Sequence, residues 1–158
     1  MAAGKKPCLL VSACLCGQAV RYDGRDCLSP PIRRLAEAGV ALPFCPECAG
    51  GLPVPRPPAE CRGDRVVQTG GADCSAAVEE GARRALALCR EKGLTAAVFK
   101  ENSPSCGVHW VYDGSFSGCR VEGMGVTARL LQQAGIRVFS EQEWQAALEE
   151  INGELSVD

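Results

Sequence analysis

Three cysteines each follow an apolar run that has the length of a buried β-strand. They are Cys14 after residues 8–13, Cys45 after residues 40–44, and Cys106 at the end of the loop that follows residues 95–99. In open α/β sheets the carboxyl ends of parallel strands share one edge, and ligands bind in the crevice outside that edge. We therefore expect the three thiols to converge there if the strands are parallel.

Converging thiolates select zinc, copper(I) or an iron-sulfur cluster over hard cations. Structural zinc sites commonly bring their ligands in short-spaced pairs, and the chain has one clean pair of this kind, Cys45 and Cys48. The single histidine, His109, follows closely after Cys106, which leaves a zinc site of three cysteines and one histidine open. A 4Fe-4S cluster normally takes four cysteines, and three would leave one iron free to bind substrate. Spacing alone leaves zinc and the cluster as alternatives.

The chain has eleven cysteines among 158 residues, an odd number that cannot pair completely within one chain. No stretch approaches the roughly 20 apolar residues of a transmembrane helix, and we find no signal-peptide pattern. These features predict a reduced cytoplasmic protein with no membrane segment. The formal net charge is -2, with no basic block, so stable binding to nucleic acid is not expected, and the charge leaves a small anionic substrate open.

The elements that must position these thiols alternate between strands and helices. Apolar runs predict strands at residues 8–13, 40–44, 65–69, 95–99 and 136–139. Composition and end signals predict helices at residues 31–38, 76–92, 126–134 and 141–151. This order predicts an α/β fold, namely a three-layer, Rossmann-like open sheet that is mostly parallel and has helices on both faces. We expect a single domain over residues 1–158.

Three local patterns refine this outline. Ser140 and Glu143 predict a capping box before the last helix. The turn composition of residues 112–118 predicts a connection between two short strands. Residues 52–60 are rich in proline and predict a stiff extended loop. Its Arg56 could meet a carboxylate or an anion, but we expect it to face solvent.

Several short motifs together resemble the thiouracil desulfurase family, formerly catalogued as a domain of unknown function. The motifs are SACL at 12–15, RYDG at 21–24, CPE at 45–47, GGLP at 50–53, PRPPAE at 55–60, KENSPSCG at 100–107, YDG at 112–114 and GVTA at 125–128. They span nearly the whole chain, and the combination is far more specific than any one of them.

The resemblance implies an enzyme that converts thiouracil, or a thiolated pyrimidine nucleoside or nucleotide, to uracil with release of sulfide. The implied reaction is hydrolytic and non-redox, and it uses a 4Fe-4S cluster. At the matching positions Cys14, Cys45 and Cys106 would bind three irons, and the fourth iron would take the substrate sulfur. We assign no function to Cys16 and Cys48, which lie near these ligands but are not required by the family pattern.

The reaction needs a group that moves protons between water, ring nitrogen and sulfur. Glu47 is the first candidate, because it lies two residues from a proposed ligand. Ser103 is the second, as a hydroxyl that orients the base or relays a proton. Further candidates for contacts to the pyrimidine edge or to the cluster sulfides are Ser12, Asp23, Asn102 and Ser105.

Two functions of other classes fit the same residues. The chain could be a non-catalytic zinc or iron-sulfur binding module. It could also be a thiol oxidoreductase that uses Cys45 and Cys48, since a C-x-x-C spacing suits thiol-disulfide exchange.

Overall fold

The computed structural model describes residues 7–155, and a parallel β-sheet forms the centre of this part of the chain. The strands are β1 (Leu9–Ser12), β2 (Ala41–Phe44), β3 (Ala59–Arg62), β4 (Arg65–Gln68), β5 (Ala96–Phe99), β6 (Trp110–Tyr112), β7 (Arg120–Glu122) and β8 (Arg137–Ser140). The α-helices are α1 (Pro30–Glu37), α2 (Pro46–Ala49), α3 (Ser75–Lys92), α4 (Val126–Gln133) and α5 (Trp144–Leu155). None of the helices within residues 7–155 combines the length and the apolar composition that crossing a bilayer requires.

The central sheet has the strand order β2-β1-β5-β8, and each neighbouring pair runs parallel. Leu9 of β1 aligns with Ala41 on one side and with Ala96 on the other. The predicted mostly parallel α/β sheet is thereby confirmed. Because the strands alternate with helices along the chain, each strand begins again at the same edge of the sheet.

Alternate residues of the two central strands face opposite helical layers. Leu10 and Phe99 pack in a cluster with residues of α3 and α4, including Ala85 and Leu131. The other face of β1 and β5 packs against α1 and α5, which contribute Ile32, Ala147 and Ile151. This arrangement gives the three layers expected for the fold, and it explains why β1 and β5 read as continuous apolar runs.

Two antiparallel ribbons stand apart from the central sheet. The first pairs β3 with β4, and the second pairs β6 with β7. The predicted strand at residues 65–69 is therefore confirmed as β4, but its partner β3 begins at Ala59, inside the segment predicted as loop. The proline-rich run excludes a helix, yet a strand can begin directly after Pro58, where the prolines end.

The helix predictions hold at their centres and differ by one to three residues at most ends. The capping box is present before α5, where the backbone N–H of Ser140 donates to the Glu143 carboxylate at 2.8 Å. The segment Glu141–Glu143 is a short 3-10 helix, and α5 itself begins at Trp144. The four-residue helix α2, which follows Cys45, was not predicted, because one turn of helix is too short to show a helical period.

The short helix α2 lies directly on α3, and two glycines permit this contact. A Cβ atom at Gly81 of α3 would overlap the carbonyl oxygen of Pro46, and one at Gly50 would overlap the carbonyl oxygen of Ala77. The two backbones therefore touch without intervening side chains. Since α2 begins directly after Cys45 and carries Glu47, this contact fixes the position of both residues.

Replacing Gly81 by Ala tests this contact, because the contact decides whether the free energy of unfolding falls or rises. An Ala in a helix interior normally stabilises by about 1 kcal/mol relative to Gly. Here the added methyl must displace Pro46, and overpacking of this kind costs about 1–3 kcal/mol. We expect Gly81→Ala to lower the free energy of unfolding in urea titrations. The exposed Ala87→Gly on the same helix sets the scale of propensity alone, and a Gly81→Ala variant at least as stable as wild type would contradict the contact.

Candidate active site

The carboxyl ends of β1, β2 and β5 open into a cavity of about 400 Å³. Its wall comes from these strand ends, from the loop after β5 and from segments that close the sides. The predicted site residues on this wall are Ser12, Cys14, Cys45, Glu47, Asn102, Ser103 and Cys106. The parallel sheet has thus brought together residues as distant in the sequence as Ser12 and Cys106.

The three predicted ligand thiols lie around this one cavity. Cys14 lies in the 3-10 turn Ala13–Cys16 directly after β1, and Cys45 is the residue that precedes α2. Cys14 and Cys106 are buried, at 8% and 6% exposure, and Cys45 is half-buried. None of the three is in a disulfide within the described residues 7–155.

Burial opposes ionisation of these thiols as long as no cation is near. Desolvation is the largest cause of a rise in the pKa of Cys14 to about 12 and in the pKa of Cys45 to about 11. Desolvation also raises the pKa of Cys106, while a hydrogen bond with Ser12 lowers it in part. The charge of Cys45 raises the pKa of both other thiols, which shows that the three groups are within electrostatic reach of one another. A bound metal stabilises thiolates and removes this penalty.

The donor set fits a cluster better than a single ion. Among the residues that the structure describes, no three His, Cys, Asp or Glu side chains are grouped closely enough to hold one metal ion. One Zn²⁺ would hold its thiolates within about 4 Å of one another, because Zn–S bonds are about 2.3 Å long. The irons of a cluster bind their thiolates at separate corners, so these ligands stand farther apart. Three soft thiols spread around one cavity suit a 4Fe-4S cluster.

The alternative fourth ligands lie elsewhere. His109 Nε2 is 2.9 Å from Glu143 Oε1, and the His109 side chain is 53% exposed. The Cys48 thiol lies 3.9 Å from the carbonyl oxygen of Val20. Within the described residues 7–155, neither of these two groups nor Cys16 is on the cavity wall. The geometry therefore does not form the zinc site of three cysteines and one histidine.

The C-x-x-C pair lacks the electrostatics of a redox site. Burial is the largest cause of the raised pKa of Cys45, and the neighbouring Cys48 adds to the rise. Redox-active thiols in this motif have a lowered pKa, which supplies the attacking thiolate. Burial instead raises the pKa of Cys45. The thiol oxidoreductase alternative is thus not favoured.

Glu47 and Ser103 form a hydrogen-bonded pair on the cavity wall. The Ser103 hydroxyl lies 3.4 Å from Glu47 Oε1. The same hydroxyl oxygen accepts hydrogen bonds from the backbone N–H groups of Ser105 at 3.1 Å and Cys106 at 3.0 Å. Because two amides occupy its lone pairs, its proton is directed at the Glu47 carboxylate. The loop that holds Cys106 thereby orients Ser103 as well.

The expectation that Arg56 faces solvent is wrong. Its side chain is 4% exposed and pairs with the Glu47 carboxylate, which is 15% exposed. The distances to Glu47 Oε2 are 2.5 Å from Nη2 and 3.1 Å from Nε. A carboxylate held beside buried thiols needs a cation or several hydrogen-bond donors. This requirement of Glu47 was the signal in the sequence that could have predicted its pairing with Arg56.

Two predicted site residues do not reach the cavity. Among the described residues that form its wall, neither Asp23 nor Ser105 is present. The Asp23 carboxylate accepts a hydrogen bond from the backbone N–H of Arg25 at 3.0 Å, which closes an exposed turn. The fully buried Ser105 hydroxyl lies 2.7 Å from that of Thr127, at the start of α4. The polar atoms of both residues are thus hydrogen-bonded within the fold, and their contact with the pyrimidine edge or the cluster sulfides stays a prediction.

Two acids that shape the wall were missed by the sequence analysis. Glu101 Oε1 accepts backbone hydrogen bonds from Val108, His109 and Trp110 at 2.6, 2.8 and 3.0 Å. Glu60 Oε1 accepts two more, from Gly114 and Phe116 at 2.9 and 3.1 Å. Both acids stand inside the quoted motifs, in KENSPSCG and PRPPAE. Their partners are backbone amides in turns, and no sequence pattern predicts which side chain will bind those amides.

Asn102 has an unusual backbone and a buried acceptor. Its φ of 73° is in the left-handed region that favours glycine, and Asn tolerates this better than most residues do. Its Oδ1 is buried without a hydrogen-bond partner among the residues that the structure describes. Strained conformations and unsatisfied buried groups are concentrated at functional sites. Asn102 therefore remains a candidate for contact with a bound group.

Two comparisons with known proteins show similarity over most of the chain. A solved structure of the [4Fe-4S]-dependent thiouracil desulfidase TudS is similar to this chain, with a TM-score of 0.88 and 46% sequence identity. The similarity covers 94% of this chain and 99% of that one. The protein YbbK of Bacillus subtilis (strain 168), described as uncharacterized, is 43% identical over 145 residues, covering 85% of this chain and 96% of YbbK.

A family model gives the assignment. The model of 2-thiouracil desulfurase matches residues 9–143, a range that includes the three cavity thiols, Glu47 and Ser103. The chain belongs to the 2-thiouracil desulfurase family.

Proposed function

We propose that this protein is a 4Fe-4S-dependent desulfurase that converts thiouracil, or a thiolated pyrimidine nucleoside or nucleotide, to the corresponding uracil compound and sulfide. The reaction is a hydrolysis without net electron transfer, since the C=S bond is replaced by C=O and water supplies the oxygen. One observation carries the proposal. Three thiols and a paired carboxylate and hydroxyl line the same cavity, in a chain of the 2-thiouracil desulfurase family.

Cys14, Cys45 and Cys106 are the residues that would hold the cluster. When bound, the cluster supplies an iron without a protein ligand, and this Lewis acid attracts the substrate sulfur and stabilises sulfide as it leaves. Two of these thiols are buried and the third is half-buried, so the cluster would be held largely out of solvent.

Glu47 is the residue that moves protons. Arg56 occupies Oε2, so Oε1 is the oxygen that meets the Ser103 hydroxyl. As a base, Oε1 takes a proton from the water that attacks the thiolated carbon, and as an acid it returns a proton to sulfur or to ring nitrogen. The Ser103 hydroxyl orients this oxygen.

Ser12 and Asn102 complete the polar part of the wall. The Ser12 hydroxyl accepts a hydrogen bond from the backbone N–H of Lys100 at 2.9 Å, which joins the end of β1 to the loop after β5. We assign Ser12 and Asn102 to contacts with the pyrimidine edge or the cluster sulfides. Their place on the wall supports this assignment.

We further propose that the chain works as a single domain in the cytoplasm. Support for the first part is that the central sheet is built from segments between residues 9 and 140. Support for the second is that the cysteines within residues 7–155 form no disulfide, a state that a reducing compartment maintains. The small substrate class is consistent with a cavity of about 400 Å³.

Cysteine replacement should separate the ligand thiols from the others. After anaerobic reconstitution with iron and sulfide, wild-type protein is expected to hold about four irons and show broad violet-blue absorbance. Cys14→Ser, Cys45→Ser and Cys106→Ser should each lose most of that absorbance. The matched controls Cys16→Ser and Cys48→Ser should retain it, because their thiols lie off the cavity wall. Zinc near one equivalent without acid-labile sulfide would instead favour the zinc-binding alternative.

Replacing Glu47 by Gln should remove turnover and leave the cluster in place. Loss of a general acid-base group lowers rates by about 10²–10⁴-fold. The measurement is chromatographic quantification of uracil formed from 2- or 4-thiouracil, together with iron content. The exposed Glu79→Gln on α3 is the control for loss of a carboxylate. Loss of the cluster in Glu47→Gln would assign this residue a structural role.

A further inference from the structure

The guanidinium of Arg56 makes more hydrogen bonds than its pairing with Glu47 alone requires. Four of the five guanidinium N–H groups have acceptors, as counted from the contacts of Nε, Nη1 and Nη2. Two of the acceptors are main-chain carbonyl oxygens, of Pro53 at 3.0 Å and of Val20 at 3.1 Å. The backbone N–H of Arg56 also donates to the carbonyl of Tyr22 at 2.7 Å. The orientation of the guanidinium is therefore set by the backbone of two wall segments.

This fixed guanidinium makes the two oxygens of Glu47 inequivalent. Both of its contacts to Glu47, from Nε and from Nη2, go to Oε2. Oε1 is left to face the hydroxyl of Ser103. The carboxylate is consequently held at one oxygen and presents the other, and tilting the carboxylate plane out of this orientation would break the contacts on both sides.

A lysine in the same place could not do this. Its ammonium is a point charge on a flexible stem, whereas the guanidinium is a rigid planar fork. The fork reaches Pro53, Val20 and Oε2 at once. A charge alone would neutralise Glu47 without determining which oxygen turns toward the cavity.

We infer that Arg56 is a positioning residue of the desulfuration reaction, which acts by holding Oε2 of Glu47 so that Oε1 meets the reacting groups. This inference rests on the proposed function, because it assigns a role in proton transfer by Glu47. Arg56 lies on the cavity wall, and its guanidinium contacts Glu47, Val20 and Pro53. Its effect on turnover should therefore pass through Glu47.

The test is a double-mutant cycle that combines Arg56→Met with Glu47→Gln in cluster-loaded protein. With Glu47 present, Arg56→Met should lower kcat about 10–100-fold and change KM by less than about threefold, because a misplaced group costs rate and not uniform binding. With Gln at position 47, the same replacement should cost less than about threefold more, since residues that act as a unit are not additive. Single-turnover reactions with enzyme in excess keep the slow variants measurable.

Two further variants separate positioning from stability. Arg56→Lys keeps a cation beside Glu47 and so protects the fold, and we expect it to lose about tenfold in kcat because the fork is gone. It replaces Arg56→Met in the cycle if the latter fails to fold. The control is Arg62→Met, which removes a guanidinium that also binds a main-chain carbonyl, that of Gly114 at 2.7 and 3.2 Å, away from the cavity wall. Arg62→Met should keep wild-type kcat and cluster content.

The outcomes distinguish the positioning role of Arg56 from the proposed desulfurase function. An equal factor lost in both Glu47 backgrounds, or full kcat in Arg56→Met or Arg56→Lys, would overturn the positioning role and leave the desulfurase function standing. A wild-type protein that is fully loaded with cluster but desulfurates no thiopyrimidine would overturn the proposed function, and the inference with it.

Discussion

Parallel pairing of β1 with β2 and β5 is the constraint on which the site depends. The three strands are in register from Leu9, Ala41 and Ala96 onward, so they end at the same edge of the sheet. A parallel sheet needs helical cover on both faces, and this chain supplies it with α1 and α5 on one side and α3 and α4 on the other. The helices return the chain each time to the same starting edge. The polar segments that follow β1, β2 and β5 therefore face the same cavity.

The cavity wall combines groups that are costly to bury with partners that offset the cost. Three thiols have a raised pKa because they are desolvated, and the irons of a bound cluster would stabilise their thiolate forms. The carboxylate of Glu47 has its cation already, in the buried Arg56. Buried ion pairs contribute little net stability, because desolvation cancels most of the attraction. The gain from this pair is a defined orientation.

Peptide amides organise the loops around the wall. The carboxylate of Glu101 accepts hydrogen bonds from three backbone amides, that of Glu60 from two, and the Ser103 hydroxyl from two more. Each side chain fixes a turn that has no strand or helix of its own. Loops that carry chemistry need such anchors, because they lack the ladder of hydrogen bonds that orders a sheet. The two antiparallel ribbons are joined to the site in the same way, since Glu60 of β3 holds the turn between β6 and β7.

Much of the fold and the thiol set could be predicted because both depend on local patterns. Apolar runs mark β1, β2 and β5, helix end signals mark α1, α3 and α4, and strand ends predict a meeting of Cys14, Cys45 and Cys106. The family resemblance, not the spacing, pointed to a cluster and to Glu47 and Ser103. Short elements such as α2 and β3 escaped prediction because four residues hold too little periodicity.

The alternation of strands and helices and the position of the thiols directly after strands depend on residues that are adjacent in the chain, so they could be predicted. Which polar groups are buried against one another depends instead on how distant segments pack. Arg56 was expected in solvent and is enclosed, because its acceptors lie 9 and 36 positions away, at Glu47 and Val20. Ser105 was expected at the cavity and is turned to Thr127, 22 positions away. Burial and pairing depend on contacts between distant segments, and a local pattern carries no record of those contacts.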